Sequence, residues 1–214
     1  MWNWINEYSA GLSVLLSVGT LLVWIAYFQI LLGSYTRQRR TKILINRGAG
    51  RGIESRCLIS NMGAEPLYIL TVIGVLSDDE GRIEADITDR DSSEVKDVKS
   101  VREGTSQGPL MSGEFMDIGR FSELMARCAR RNQRETDGIE SRFDGLEIVV
   151  IGAYGAEDLS VGARRCFTLH GGDTAKELVP DSVSTHQMRS RRERRAAESY
   201  LHNQLRQSRQ PKSD

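Results

Sequence analysis

The sequence predicts a mainly β protein: an N-terminal transmembrane helix, then a β-sandwich with one inserted amphipathic helix, then a basic C-terminal helix. Three observations carry this. No charged side chain occurs between Glu7 and Arg37, short apolar runs separated by glycine fill the middle of the chain, and arginines crowd residues 189–209 around a thin apolar stripe. The expected divisions are an outer segment 1–9, the transmembrane helix 10–32, a basic juxtamembrane segment 33–42, the sandwich 43–172 and a basic helical or disordered tail 173–214.

The run SAGLSVLLSVGTLLVWIAYFQILLGSY is long enough as a helix to cross a hydrocarbon layer about 30 Å thick. Leu, Val, Ile and aromatic residues occur all round it, whereas a soluble core helix of this length would show a polar face. A cleaved signal peptide needs a basic start, a shorter apolar run and a small-x-small site, and MWNWINEYSA offers none of these. Arg37, Arg39, Arg40 and Lys42 flank the other end, so the positive-inside rule places the N-terminus outside and the bulk of the chain in the cytoplasm of a bacterial inner membrane. Trp2, Trp4 and Tyr8 suit an outer aromatic belt, with Tyr27 and Tyr35 at the inner one. Ser9, Ser13 and Ser17 repeat every fourth residue and predict a small face through which two helices could associate into a homo-oligomer.

From Lys42 onward the pattern is that of strands. KILINRG is the first, and GAGRG the turn after it. IESRCLISNMG continues with Ile53, Arg56, Leu58 and Ile59 in an imperfect alternation, and Asn61 to Pro66 is turn chemistry. LYILTVIGVL is the most apolar run of the domain and so its central strand. RIEADIT alternates Ile83, Ala85 and Ile87 with charges, as a strand with one wet face does. Glu94 to Gly108 lacks period and bulk and reads as a mobile loop; GPLMSGEFMDIG resumes as one strand. LEIVVIGAYG and ARRCFTLHG form a closing hairpin. Between them and the preceding strand, RFSELMARCARRNQ places Phe121, Leu124, Met125 and Cys128 on one helical face and Arg127, Arg130, Arg131 and Arg134 on the others.

About seven short strands with glycine-rich turns argue for a sandwich. The runs ILINRG, SNMGAEPLYI and LMSGEF, followed by the last hairpin, resemble small immunoglobulin-like modules tethered behind a single membrane helix in uncharacterised bacterial proteins. The resemblance covers about two thirds of the chain and rests on turn residues. It implies a binding or structural module and carries over no catalytic residue. Antibody-type hallmarks are missing, since no tryptophan lies in the domain and Cys57 with Cys166 would not pair in a reducing cytoplasm.

Composition and motifs narrow the function further. With 29 Lys and Arg against 29 Asp and Glu, global charge favours neither nucleic acid nor an acidic partner. Three widely spaced cysteines, Cys57, Cys128 and Cys166, read as free thiols, and no cofactor or zinc pattern accompanies them. Gly48 to Gly52 invites a phosphate-loop reading, but a β-patterned run follows it instead of a helix, so it is a turn. The acidic stretch from Asp78 to Asp97 lacks calcium-loop spacing. Cys166 and His170 are the best place to look for an enzyme, and no partner residues identify one.

The tail holds the strongest remaining signal: Arg189, Arg191, Arg192, Arg194 and Arg195 as candidate contacts, with Ala197, Leu201 and Leu205 as a narrow helical stripe beside Tyr200. The reading that follows is a membrane-tethered, non-enzymatic interaction or scaffold module whose partners are membrane lipid and a protein. Sheet edges and the arginine face of the internal helix would be its contact surfaces. The alternative is a membrane-bound binder of nucleic acid or anionic lipid acting through the arginine-rich tail.

Overall fold

The computed structural model describes residues 3–38, 41–79, 81–90, 104–155, 157, 159–171 and 176–209, the side chains of 3–10, 34–38, 205 and 207–209 excepted. The chain divides into two compact units, Met1–Arg40 and Thr41–Asp214.

The first unit is helix α1, Asn3–Gln38. Its stretch Gly11–Gly33 has a mean hydropathy of 2.1 and is wholly unburied, which makes it long and apolar enough to span a membrane. The hydroxyls of Ser17 and Thr20 donate to the carbonyls of Ser13 and Leu16 one turn back, at 2.8 Å each. Such back-bonding satisfies a hydroxyl within its own helix, so these side chains need no partner from outside. Ser9, Arg37, Arg39, Arg40, Trp2, Trp4, Tyr8 and Tyr35 lie outside the described side chains.

The second unit is mainly β. Strands β1 (Ile43–Arg47), β2 (Arg56–Asn61) and β6 (Phe115–Arg120) make a three-stranded sheet in the order β1-β2-β6. A larger sheet runs β10-β8-β7-β3-β4, from β3 (Leu67–Ser77), β4 (Arg82–Asp86), β7 (Gly145–Tyr154), β8 (Val161–His170) and β10 (His186–Met188). Two short strands join it at its margins: β5 (Gly108–Leu110) on β3 and β9 (Glu177–Pro180) on β8. All pairings are antiparallel. Ile45 and Ile59 from the small sheet and Ile69, Ile148 and Phe167 from the large one belong to a single core.

Several expectations change at this level. In β2 the buried residues are Cys57, Ile59 and Asn61, so Leu58 faces outward; the alternation is regular once Cys57 is counted as apolar. GPLMSGEFMDIG is two strands, β5 and β6, in different sheets, because the turn at Met111 to Glu114 carries the chain across from one sheet to the other. Of the expected loop, 94–103 lies outside the described residues; its end is tied down, with Ser106 N–H donating to the Thr88 carbonyl at 2.8 Å. The sandwich boundary at 172 is too early, since β9 and β10 continue the large sheet.

Helix α2, Phe121–Arg131, buries Phe121, Leu124, Met125 and Cys128 as its period predicts, closing the side of the core between β6 and β3-β4. Gly119, at φ +117°, and the N–H of Arg120 bonded to Glu123 Oε2 at 2.9 Å turn the chain from β6 into this helix. Arg127 does not join the outer arginines. It is fully buried, with Nη1 donating to the Ile87 carbonyl at 2.7 Å. A one-turn helix, α3 (Ile139–Arg142), follows.

Helix α4, Arg191–Arg209, is not a free solvent helix. Ala197, Tyr200 and Leu201 cover Ile73, Val75 and Ile151 on the outer face of the large sheet. This explains why residues 71–76 of β3 are buried without a break: one face meets the core and the other meets α4. A carboxylate placed in that contact would be buried against aliphatic groups, so Ala197→Asp should cost about 2–4 kcal/mol. Ala196→Asp, on the exposed side of the same helix, should cost only a few tenths; thermal melts of the two variants check the pair.

Candidate functional site

Strand register sorts the domain into two ends. The chain arrives at Lys42, whose carbonyl accepts the Met62 N–H at 2.8 Å. Ile43 pairs with Asn61, and Leu67 with Tyr154, so the first residues of β1 and β3 and the last of β2 and β7 share this near end. Ser77 pairs with Gly145, and Gly145 with Thr168, which fixes the far end about 30 Å away along the strands.

A depression of about 360 Å³ opens at the far end. Asp78, Asp79, Asp144 and Asp181 surround it, with Cys166 and Thr168 in its wall. Beside them Glu147 is buried between two arginines, ion-paired with Arg82 and lying 3.6 Å from Arg164 Nη1. Thr168 Oγ1 donates to Asp181 Oδ1 at 2.6 Å. Three exposed carboxylates and the half-buried Asp78 outnumber the one arginine of the lining, Arg82, and among the described residues no cluster of His, Cys, Asp or Glu has the geometry to hold a metal.

All three thiols are free. Burial pushes the Cys57 thiol well above its ordinary range and Cys128 up to about 11. Cys166, although exposed, is also raised, by partial burial and by the charges of Glu147 and Asp181, with Arg164 and Arg82 opposing. Raised values leave little thiolate at neutral pH, the reverse of what a nucleophile needs. His170 is exposed and does not line the depression, so the pairing with Cys166 expected of an enzyme is not assembled there.

The tail arginines divide. Arg194 turns inward, its guanidinium 2.7 Å from Glu157 in the β7-β8 loop. Arg189, Arg191, Arg192 and Arg195 are exposed. Ser190 caps α4: its hydroxyl and Glu193 Oε2 lie 2.8 Å apart, and the Glu193 N–H donates back to Ser190 Oγ at 3.2 Å. Glu193 Oε1 also meets His186 Nε2 at 2.8 Å.

Sequence reasoning missed how the edge of β1 is closed. Gln187 accepts the Ile43 N–H at 3.0 Å and donates to the Ile43 carbonyl at 2.6 Å, as a neighbouring strand would. Thr185 Oγ1 accepts the Ile45 N–H at 2.9 Å, and Arg165, buried, donates to the Ile45 carbonyl at 2.6 Å. An edge satisfied from within its own chain is not a free template for a partner strand. Of the contact surfaces expected earlier, the β1 edge and the Arg127 part of the helix face are therefore internal. Only the two-residue spacing of Thr185 and Gln187 hinted at this.

Compared with known proteins, the chain matches no protein family, no curated protein and no solved structure.

Two outcomes follow from the titrating groups. At neutral pH a maleimide should label Cys166 alone, and more slowly than an unstructured cysteine; unfolding should release all three thiols, as mass spectrometry of the labelled chain will show. The hydrogen bonds from His186 and then Ser190 hold the Glu193 carboxyl down to about 2 from its ordinary 4.5. A depressed carboxyl stabilises the fold above its unfolded value, so the α4 cap should be intact above about pH 4.5 and lost as pH falls toward about 2. Amide exchange at the start of α4, against Glu193→Gln, checks it.

Proposed function

We propose that the chain is a membrane-tethered, non-enzymatic interaction module: α1 crosses a bacterial inner membrane with its N-terminus outside, and the domain works in the cytoplasm. The observation that carries the reading is where the domain gathers its aspartates. Its carboxylate-rich depression lies at the end of the sheets farthest from Lys42, where an adaptor held at Lys42 would offer a contact surface to a partner. The partner chemistry that fits is a basic protein segment.

The strand order supports an immunoglobulin-like sandwich for this module. Lettering the strands along the chain, β1, β2 and β6 correspond to A-B-E, and β4, β3, β7 and β8 to C′-C-F-G. The inserted helix α2 then occupies the E-F connection. The usual B-F disulfide has no counterpart, because β7 contains no cysteine.

A second reading is favoured by the outward ridge of α4, where Arg192, Arg195 and Arg206 are exposed at helical spacing and would meet nucleic acid phosphates. Capture of the intact protein from detergent-solubilised membranes, run in parallel with and without nuclease, separates the two. A protein that survives nuclease and is lost from Asp79→Lys with Asp144→Lys, while Arg192→Gln with Arg195→Gln retains it, supports the module. Recovery of nucleic acid alone, abolished by the arginine changes and indifferent to the aspartate changes, replaces it with the second reading.

A further inference from the structure

We infer that the near end of the domain is itself a docking surface for an anionic lipid bilayer, with Met62, Met111 and Phe115 as the residues that enter the interface. The inference rests on the tethered-module reading and adds the face by which the module lies on its membrane.

These three side chains are apolar and unusually open for a packed domain, at 53%, 50% and 66% exposure. They belong to one end and not to scattered positions. Met62 is bonded through its N–H to Lys42. The turn carrying Met111 is joined to β2, with Gly113 N–H donating to the Asn61 carbonyl at 2.8 Å and Asn61 N–H to that of Glu114 at 3.0 Å. Phe115 pairs with Ser60, which pairs with Leu44. Phe115 therefore sits on the outer side of the small sheet, beside the place where the chain enters.

Cations border this end. Lys42 is exposed on it, and the register of Met188 with Gly162 delivers Arg189, Arg191 and Arg192 there as well, all exposed. The described carboxylates nearby are mostly engaged: Glu114 accepts the Met111 N–H, Glu157 pairs with Arg194, and Glu193 with His186. Apolar side chains bordered by arginine and lysine match the boundary between acyl chains and anionic headgroups. At the far end, Arg56 is paired with Asp117 and Arg120 with Glu54, and the depression beside them is lined by four aspartates and Arg82.

Chain length makes this occupant the one within reach. Only residues 39–42 separate the end of α1 from β1, and four residues span at most about 14 Å. A bilayer's headgroup layer adds roughly 5–7 Å beyond the hydrocarbon on each side. The near end is thus held within the zone where membrane attraction acts, whatever its orientation.

The test uses full-length protein in bilayer nanodiscs, with Cys166→Ser removing the exposed native thiol. Spin labels are placed singly at Met111→Cys, Phe115→Cys and Gly81→Cys, the last a far-end turn position with open space around it. In anionic bilayers the labels at 111 and 115 should collide with a water-soluble nickel chelate several-fold less than the label at 81, and more with oxygen. Arg189→Gln, Arg191→Gln and Arg192→Gln together should return most of that accessibility. Labels at 111 and 115 as open to nickel as 81 would overturn the inference. So would protection that persists in uncharged bilayers and rises with protein density, which would mark a second copy of this chain as the occupant. A fourth label, at Leu22→Cys in α1, reports the anchor separately. Nickel access at 22 sinks the tether reading, whereas a lipid-buried 22 with open 111 and 115 sinks only the docking.

Discussion

The central strand pair β3-β7 is apolar on both faces, and most of the domain's architecture answers the need to cover both. On the inner side, Ile69, Ile148 and Val150 meet the small sheet and α2 in the common core. On the outer side, Ile73, Val75 and Ile151 need a second cover, and α4 supplies it through Ala197, Tyr200 and Leu201. A sheet with one wet face would show alternation along β3; the unbroken burial over 71–76 is the mark of two covers. Gly152 reflects the same crowding, since a Cβ there would lie 2.7 Å from the Tyr68 carbonyl oxygen.

Closing the open sides of the two sheets falls to polar groups as well as apolar ones. On one side α2 fills the gap with Phe121 and Leu124, and buried Arg127 reaches the Ile87 carbonyl. On the other, Gln187, Thr185 and Arg165 satisfy the edge of β1. Arg165 is additionally stacked 5.6 Å from the Phe167 ring. A hydrogen bond of this kind contributes only about 1 kcal/mol net, but leaving one buried partner unmatched costs about 1–3 kcal/mol. Such groups therefore fix which edge meets which strand more than they add stability. They also remove a row of backbone groups that would otherwise invite another chain.

The same register that closes the fold also gathers particular side chains at each end. Antiparallel strands of matched length bring chain segments distant in sequence to one end: Lys42, Met62, Met111 and Arg189 at the near end, Asp78, Asp144 and Asp181 at the far one. With formal net charge zero, the molecule has no global electrostatic preference, and only local clusters such as the far-end aspartates set a sign.

Features encoded locally are the ones that can be read along the chain. An uncharged stretch such as Gly11–Gly33 is recognisable as a helix long and apolar enough to span a membrane, and a period of three to four residues identifies α2 through Phe121, Leu124, Met125 and Cys128. Strands β1, β3 and β4 and the β7-β8 hairpin were legible because turn residues bound them. Tertiary structure alone decided the rest. Whether Cys57 or Leu58 faces inward, whether GPLMSGEFMDIG is one strand or two, and whether Arg127 and Arg165 are wet or buried all depend on what lies opposite, which no local pattern contains. The stripe of α4 was visible, but its partner face on β3 and β7 was not. The two ends of the molecule, with the candidate surfaces they carry, exist only once antiparallel register has brought distant segments side by side.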